Sequence, residues 1–461
     1  MRMRSSPFRY GLAAAMLLAV APASAQTLQE ALAQAYNNNP TLLAARAQLR
    51  AVDENVPQAL AGWRPTVVIG GSYGATDVRN TGQGGVVSRI DRSPASVTGT
   101  VTQPIFRGGR TVAQTRQAEN QVLAQRARLF ATEQQILSDG VNAYIGVIQN
   151  AELLRLNINN EQVLGRQLQA TNERFRVGEI TRTDVAQAES RLAGARSSRT
   201  QAEGNLQIAR ATYQRVVGEP PGRLTNPQPL QVPVRSAGDA QAAAIANNPN
   251  VVAALFNAAS ARDAVDVQIS TLLPQVSATA QAFRQDNSQL RGTRQTGGQA
   301  TLNLNVPLYQ GGAEHALVRQ ARQTAQQAIS QVDEARRAVA QQAAQSWEQL
   351  RSARATVESV RSQIRAAEIA LDGVQREAIV GSRTTLDVLN AEQELLNART
   401  SLVNALSTVV TGSYNLAASV GRLTAQDLGL PVELYDMRQY YNAVRDRWVG
   451  IGDYSVAAVR R

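Results

Sequence analysis

Two turns with the same sequence pattern contain the acidic residues that are the first candidates for a functional role. Each turn contains a glycine and, three residues later, a Thr-x-x-Asp sequence: Gly178 with Thr181 and Asp184, and Gly381 with Thr384 and Asp387. A glycine at such a place suits the left-handed residue that ends a helix, and Thr-x-x-Asp is a capping box that begins the next helix. The sequence therefore predicts that one helix ends and the next helix begins at each turn.

The composition excludes most catalytic chemistry. The 461 residues include no cysteine and one histidine, His315, so thiolate chemistry, disulfides and multi-histidine metal centres are ruled out. We therefore predict a protein that is not an enzyme and that has no cofactor and no metal site. Basic residues number 47, all of them arginine, against 36 acidic residues. They are not interleaved with aromatic residues, so we expect no nucleic-acid partner.

The first 25 residues predict an export signal. Three arginines precede an apolar run at residues 11–21, and Ala23-Ser24-Ala25 fits a small-residue cleavage site. The apolar run is too short to cross a bilayer comfortably, so cleavage is favoured over an uncleaved anchor. The mature protein is therefore expected outside the cytoplasm.

The mature chain reads as two related halves. Pro65 and Pro274 are 274 − 65 = 209 residues apart, and Pro104 and Pro307 are 307 − 104 = 203 apart. A loop between these positions could absorb the difference. The spacing predicts four segments after the signal at 1–25: a first repeat at 26–218, a proline-rich linker at 219–237, a second repeat at 238–421 and a C-terminal segment at 422–461.

Each half predicts a pair of strands in a membrane sheet. Small apolar and polar residues alternate over residues 67–73, 97–102, 275–282 and 300–308. The strand pairs are predicted at about 66–104 and 275–308, with polar, glycine-rich loops near 79–93 and 286–298. The segments have roughly the length of a tilted transmembrane strand, although a half-buried sheet in a soluble domain alternates in the same way.

The rest of each half predicts long helices with a sevenfold repeat. Uninterrupted helices are expected at about 110–176 and 312–378, each on the order of 100 Å long. Shorter helices are expected near residues 41–62, 182–217, 250–272 and 384–420. Two parallel heptad series begin at Val388 and Leu389, which predicts a helix with apolar contacts on two sides. A wall of helices needs such contacts; an ordinary bundle with a broad core is the alternative.

The predicted strands require more than one chain. A sheet in lipid must close on itself, and the smallest common barrels have about eight strands. Four strands per chain then imply two or three copies, and the sequence alone does not choose between them.

Four motifs resemble the TolC family of outer-membrane factors. They are the junctions QPIFRGG (103–109) and VPLYQGG (306–312) and the turns RVGEITRTDV (176–185) and IVGSRTTLDVLNA (379–391). The resemblance implies an α+β membrane fold, in which a homotrimer forms a twelve-stranded outer-membrane β-barrel continuous with a twelve-helix periplasmic α-barrel. It implies a passive exit duct that lies in outer-membrane lipid. Its partners would be a periplasmic adaptor and an inner-membrane ABC transporter or proton-driven pump.

The end of the chain resembles family members that serve type I protein secretion. The matching stretches are GRLTAQDLGLPVELYD (421–436) and RDRWVG (445–450). Protein secretion is therefore the first expectation. Small-molecule efflux is the alternative within the same class, and a soluble periplasmic coiled-coil scaffold is the alternative outside it.

The resemblance also implies a gate at the periplasmic tip. By position, Arg383 would bond Thr183 and Asp184 of a neighbouring chain, and Asp387 would form an acidic ring on the axis. Three such carboxylates would attract cations and raise one another's pKa. Each aspartate could instead only cap its helix, so capping alone and capping combined with a gate both remain open. Asn390 departs from the family pattern, because a second lumen aspartate is common there. The tip set is completed by the turn glycines Gly178 and Gly381.

A second set of residues is expected where strands meet helices. The predicted junction residues are Pro104, Phe106, Gly108, Gly109, Pro307, Tyr309, Gly311 and Gly312. Phe106 and Tyr309 could form an interfacial aromatic belt, or could pack at the start of the helices.

Overall fold

The computed structural model describes residues 26–85 and 87–454, so the predicted signal at 1–25 lies outside the described residues. The described part contains ten α-helices: α1 (Leu28–Asn38), α2 (Pro40–Asp53), α3 (Asn55–Leu60), α4 (Arg110–Arg176), α5 (Arg182–Val217), α6 (Ala237–Asn247), α7 (Pro249–Ile269), α8 (Ala313–Ile379), α9 (Thr385–Ser419) and α10 (Gln439–Val444). It contains six strands: β1 (Thr66–Tyr73), β2 (Thr76–Thr81), β3 (Val87–Arg92), β4 (Ala95–Arg107), β5 (Gln275–Asp286) and β6 (Arg294–Asn305).

The two long helices have the predicted bounds to within a residue. Both α4 and α8 contain 67 residues, which is about 100 Å of helix. Each starts at a glycine in the left-handed conformation, Gly109 (φ 78°) and Gly312 (φ 81°). Each ends in a Schellman turn around Gly178 or Gly381, in which the following backbone N–H bonds a carbonyl of the last helical turn.

The shorter helices are more divided than the sequence indicates. The expected helix at 41–62 is α2, α3 and a 3₁₀ turn, and the one at 250–272 is α7 followed by a 3₁₀ turn. Helices α5 and α9 agree with the predicted 182–217 and 384–420. The sequence did not predict α1, α6 and α10, which are short and pack on the longer helices.

Four strands form one antiparallel sheet in the order β1-β4-β5-β6. β4 carries a bulge at Ile105, between Pro104 and Phe106, where the pairing with β5 shifts. The predicted strand end at 308 was too long: β6 ends at Asn305, two residues before Pro307, which has no N–H to donate.

The prediction of a loop near residues 79–93 is wrong. This segment contains most of a separate hairpin, in which β2 pairs with β3. An ion pair of 2.6 Å between Arg89 and Asp77 links the two strands. The other expected loop, near 286–298, is shorter than predicted because β5 extends to Asp286 and β6 begins at Arg294.

The main core lies midway along α4, where the short helices and the C-terminal segment pack against it. Tyr144 and Tyr213 are fully buried there with leucines of α1, α2 and the C-terminal segment. The Tyr144 hydroxyl lies 2.8 Å from the carbonyl of Gln26 and 2.7 Å from that of Thr225. The start of the described chain and the proline-rich linker are thereby fixed to α4. Across residues 26–85 and 87–454, no helix combines the length and apolar character that a bilayer crossing requires.

Candidate channel wall and tip gate

The four-stranded sheet has one apolar face that continues across all four strands. Its positions are Val67, Ile69, Gly71 and Tyr73 on β1; Val97, Gly99 and Val101 on β4; Val276, Ala278, Ala280 and Ala282 on β5; and Gly298, Ala300, Leu302 and Leu304 on β6. The register aligns them directly: Val67 pairs with Val101, which pairs with Ala280, which pairs with Ala300. The large members are exposed to solvent in the single chain, except Val276, which is half-buried. A face of this kind suits contact with lipid.

The opposite face is polar and its side chains bond across the strands. The hydroxyls of Ser72 and Ser96 lie 2.7 Å apart, and Gln299 Nε2 donates to Gln281 Oε1 at 2.7 Å. Along the same face, threonines alternate with the apolar residues of β4. Such a face suits contact with water, so the sheet separates an apolar side from an aqueous side.

Each edge of the sheet is open within the described residues. β1 pairs only with β4, and β6 pairs only with β5. An unpaired edge leaves backbone N–H and C=O groups without partners, which lipid cannot supply.

The long and the shorter helices pack side by side. Helix α9 packs against both α8 and α4, and α5 packs mainly against α4. The two heptad series of α9 explain this arrangement, because members of both series are buried. They are Val388, Leu395, Val409 and Leu416 in one series and Leu389 and Val410 in the other. The prediction of apolar contacts on two sides of α9 is confirmed.

Both capping boxes form at the tip. Asp184 Oδ2 accepts the backbone N–H of Thr181 at 3.0 Å and its hydroxyl at 2.7 Å. Asp387 Oδ2 accepts the same two groups of Thr384 at 3.0 and 2.8 Å. The side-chain hydroxyl and backbone N–H of Thr181 lower the pKa of Asp184, and the backbone N–H and hydroxyl of Thr384 lower that of Asp387. Both carboxylates are therefore charged at neutral pH.

Arg383 has a partner in its own chain. Its Nε lies 2.8 Å from Glu377 Oε2, across the turn between α8 and α9. Asp184 bonds Thr181 as described, and Thr183 is exposed. The pairing of Arg383 with Thr183 and Asp184 therefore remains a prediction about neighbouring chains.

Asn390 links the two tip hairpins. Its Oδ1 accepts a hydrogen bond of 2.9 Å from Arg191 Nη2 of α5. Below this bond, Leu164, Leu192 and Leu389 pack in one small cluster. The two turns therefore lie at the same end of the molecule. The turn glycines Gly178 and Gly381 have φ of 81° and 78°, as their predicted role in ending the helices requires.

The strand–helix junctions are built around left-handed glycines. Gly108 has φ of 57°, and an added Cβ would lie 2.7 Å from Leu273 Cβ, so no other residue fits there. Gly311, with φ of 71°, precedes the left-handed Gly312 at the start of α8. The predicted belt residues Phe106 and Tyr309 are both exposed, and Tyr309 follows Pro307 in the segment after β6.

Sequence reasoning missed several charged partners. Glu377 and Arg191 were not singled out, although acidic and basic residues flank both turns. At the first turn, an ion pair of 2.8 Å between Arg174 and Glu179 is the counterpart of the pair between Arg383 and Glu377. Two buried carboxyls were also missed: Asp53, and Glu133, which accepts the backbone N–H of Ala425 at 2.7 Å. Among the described residues, no three acidic or histidine side chains are grouped as a metal site would need.

Known proteins resemble the chain along most of its length. Residues 31–219 and 241–422 match the family described as outer membrane efflux protein. The outer membrane efflux protein BepC of Brucella suis is 37% identical over 439 residues, covering 93% of this chain and 92% of BepC. The alkaline protease secretion protein AprF of Pseudomonas aeruginosa is 25% identical, covering 71% of this chain and 70% of AprF. The solved structure of VceC from Vibrio cholerae has a TM-score of 0.73 at 21% identity, covering 86% of this chain and 96% of that one.

The sheet with one apolar face and the helical wall together define an outer-membrane channel fold. The chain belongs to the outer membrane efflux protein family, and its resemblance to TolC is confirmed. It is an outer-membrane channel of tripartite export systems and extends into the periplasm, as predicted.

Proposed function

We propose that three copies of this chain form one continuous export duct. The observation that carries the proposal is the sheet, whose apolar face crosses all four strands and whose two edges are open within the described residues. Three sheets joined edge to edge would give twelve strands and leave no unpaired edge. Their polar faces would line a water-filled lumen, and their apolar faces would contact outer-membrane lipid.

The helices would form the periplasmic part of the same duct. Each chain would add two long helices and two stacks of shorter ones, which gives twelve helical positions in a trimer. The two-sided packing of α9 supports a wall, since a wall helix needs a neighbour on each side. A passive conduit of this kind performs no catalysis, and its energy would come from the inner-membrane partner.

The tip turns would close this duct in its resting state. In a ring of three, Asp387 would face the axis and attract cations, and Arg383 would reach Thr183 and Asp184 of the next chain. The turns are well suited to this role because the capping boxes fix the start of each helix while Arg383 stays exposed.

We test the gate with Arg383→Ser. If Arg383 bonds the neighbouring chain, its loss should raise the conductance of the resting channel in a planar bilayer. Glu377→Gln is the matched control, because it removes only the partner within the chain and should leave the resting conductance low. An unchanged conductance in Arg383→Ser would place the latch elsewhere.

Members of this family work with an adaptor protein and an inner-membrane pump or ABC transporter. For the cargo, two candidates each have a specific support. Type I protein secretion, with an ABC transporter, is supported by the similarity to AprF and by residues 421–436. Small-molecule efflux, with a proton-driven pump, is supported by the higher identity to BepC.

Deleting the gene in its host separates these two candidates. Protein secretion predicts that one or a few proteins disappear from the culture medium while tolerance of dyes and detergents is kept. Efflux predicts that the proteins of the culture medium are unchanged while tolerance of dyes and detergents is lost. A deletion strain unchanged in both respects would contradict the proposed role in export.

A further inference from the structure

The segment after α10 returns to the base of the sheet. Residues 445–454, here called the C-terminal arm, are attached through Arg64, which lies two residues before the first residue of β1. Arg64 Nη1 donates to the carbonyl of Arg447 at 2.5 Å, and its guanidinium lies 5.1 Å from the ring centroid of Trp448. The C-terminal arm therefore lies at the level where the sheet begins.

Several contacts hold the C-terminal arm in place. The hydroxyl of Tyr440 in α10 donates to Glu54 Oε1 at 2.8 Å, which fixes α10 to the end of α2. The guanidinium of Arg447 lies 3.7 Å from the ring centroid of Tyr454, so the arm folds back on itself. Gly450 makes this turn with φ of 125°, and an added Cβ would lie 2.4 Å from the Tyr454 hydroxyl oxygen.

The held arm nevertheless exposes its apolar side chains. Trp448 is 67% exposed, Val449 is 86% exposed and Ile451 is fully exposed. Single exposed apolar residues are common on protein surfaces, but a tryptophan and two branched aliphatic residues on one fixed turn are a concentrated patch. Trp63 adds a second tryptophan at the same level, because it immediately precedes Arg64.

We propose that the C-terminal arm is a membrane-interface anchor that inserts Trp448, Val449 and Ile451 into the periplasmic leaflet of the outer membrane. Continuity with the strand bases favours phospholipid as the occupant, since tryptophan concentrates at the level where strands enter the headgroup region. The charges within the arm balance, with Arg445 and Arg447 against Asp446 and Asp453. Insertion of its apolar groups is therefore the contribution that the arm itself would make to binding. The proposal rests on the proposed barrel, which sets the level of the membrane.

The test uses tryptophan emission in vesicles of brominated phospholipid. The full-length protein contains Trp63, Trp347 and Trp448, so Trp63→Phe with Trp347→Phe leaves Trp448 as the only emitter. We expect this emission to be quenched, and more strongly by lipids brominated near the headgroup end of the chain than near the methyl end. The matched control retains only Trp347, which is half-buried among the helices and should lose no emission.

A further variant separates failure of this proposal from failure of the barrel. In a background with all three tryptophans changed to phenylalanine, Ile69→Trp places one emitter on the apolar face of β1. Quenching at both 69 and 448 supports the anchor. If the tryptophan at 69 is quenched and Trp448 is not, the anchor is overturned and the barrel is kept. The same conclusion holds if the emission of Trp448 is shifted to the blue without quenching, because a neighbouring copy then covers it. Quenching at neither position overturns both.

Discussion

Asp184 and Asp387 occupy equivalent positions at the two tip turns. Each accepts a backbone N–H and a hydroxyl from the threonine that begins its helix. The proposed gate gives them different tasks, because only Asp387 would form a ring on the axis. Comparing the two residues therefore separates helix capping from the proposed ring of charge on the axis.

The variants Asp387→Ala and Asp184→Ala should each destabilise the start of one helix, because each removes the carboxylate that accepts the capping-box hydrogen bonds. Only Asp387→Ala should abolish the block of single pores by multivalent cations, since only that change removes the proposed ring of charge. Single-channel recording with and without the cation provides the measurement. If cations still block the Asp387→Ala pore, or if Asp184→Ala loses the block to the same extent, Asp387 does not form a cation-binding ring.

Asp53 makes stability depend on pH. Its side chain is buried at the end of α2, and neither carboxylate oxygen has a hydrogen-bond partner among the described residues. Burial raises its pKa to about 7, against the opposing attraction of Arg126. The folded chain thus binds this proton more tightly than the unfolded chain, whose aspartate pKa is about 4. The contribution of Asp53 is favourable at low pH and is lost as the pH rises from about 4 to about 7.

Asp53→Asn should therefore melt at a higher temperature than the wild type at about pH 8, and the difference should shrink as the pH falls and disappear at about pH 4. Thermal unfolding of the detergent-solubilised protein across this range is the measurement. If the variant is instead less stable at the higher pH, Asp53 is an ion-pair partner of Arg126 and its burial does not destabilise the charged form.

At the scale of single residues, the sequence predicts those whose role depends on residues a few positions away in the chain. The turn glycines and both Thr-x-x-Asp boxes were predicted because capping depends on neighbours in the chain. Glu377 and Arg191 were not, since their pairings depend on how side chains project across a turn or between helices. The burial of Asp53 is likewise a consequence of tertiary packing.

At the scale of elements, the sheet offers neighbouring residues on opposite faces. Ala280 lies on the apolar face of β5, and Gln281, the next residue, lies on the polar face and bonds Gln299. An arginine facing lipid near the middle of a bilayer costs about 2–4 kcal/mol, whereas one facing a lumen contacts water.

Ala280→Arg should therefore reduce the amount of folded protein in the outer-membrane fraction, measured by the shift of the unheated protein on gels. Gln281→Arg should fold in normal amount and shift the ion selectivity of the pore toward anions. Equal losses in the two variants would mean that the two faces of the sheet do not differ in environment.

Periodicity predicted the long elements well and the short ones poorly. The heptads predicted α4 and α8 to within a residue, because a sustained period of seven is a strong signal. The hairpin β2–β3 was read as a loop, since its glycines and charged residues hide a weak alternation. Helices α1, α6 and α10 are short and are stabilised by packing on other elements, which periodicity does not report.

At the scale of the whole molecule, incompleteness of the single chain is the central feature. The four-stranded sheet ends in two open edges within the described residues, and most of its large apolar side chains are exposed. The sequence already required oligomerisation from four strands but allowed two or three copies. The resemblance to the TolC family implies three copies, and that number remains a prediction.

The most direct test is the number of chains in the purified particle. Native mass spectrometry of the protein released from detergent counts them without a shape assumption. The account predicts three chains in every particle and none that stays dispersed as a single chain in buffer without detergent. A stable particle of one or two chains would contradict the proposed closure of the sheet.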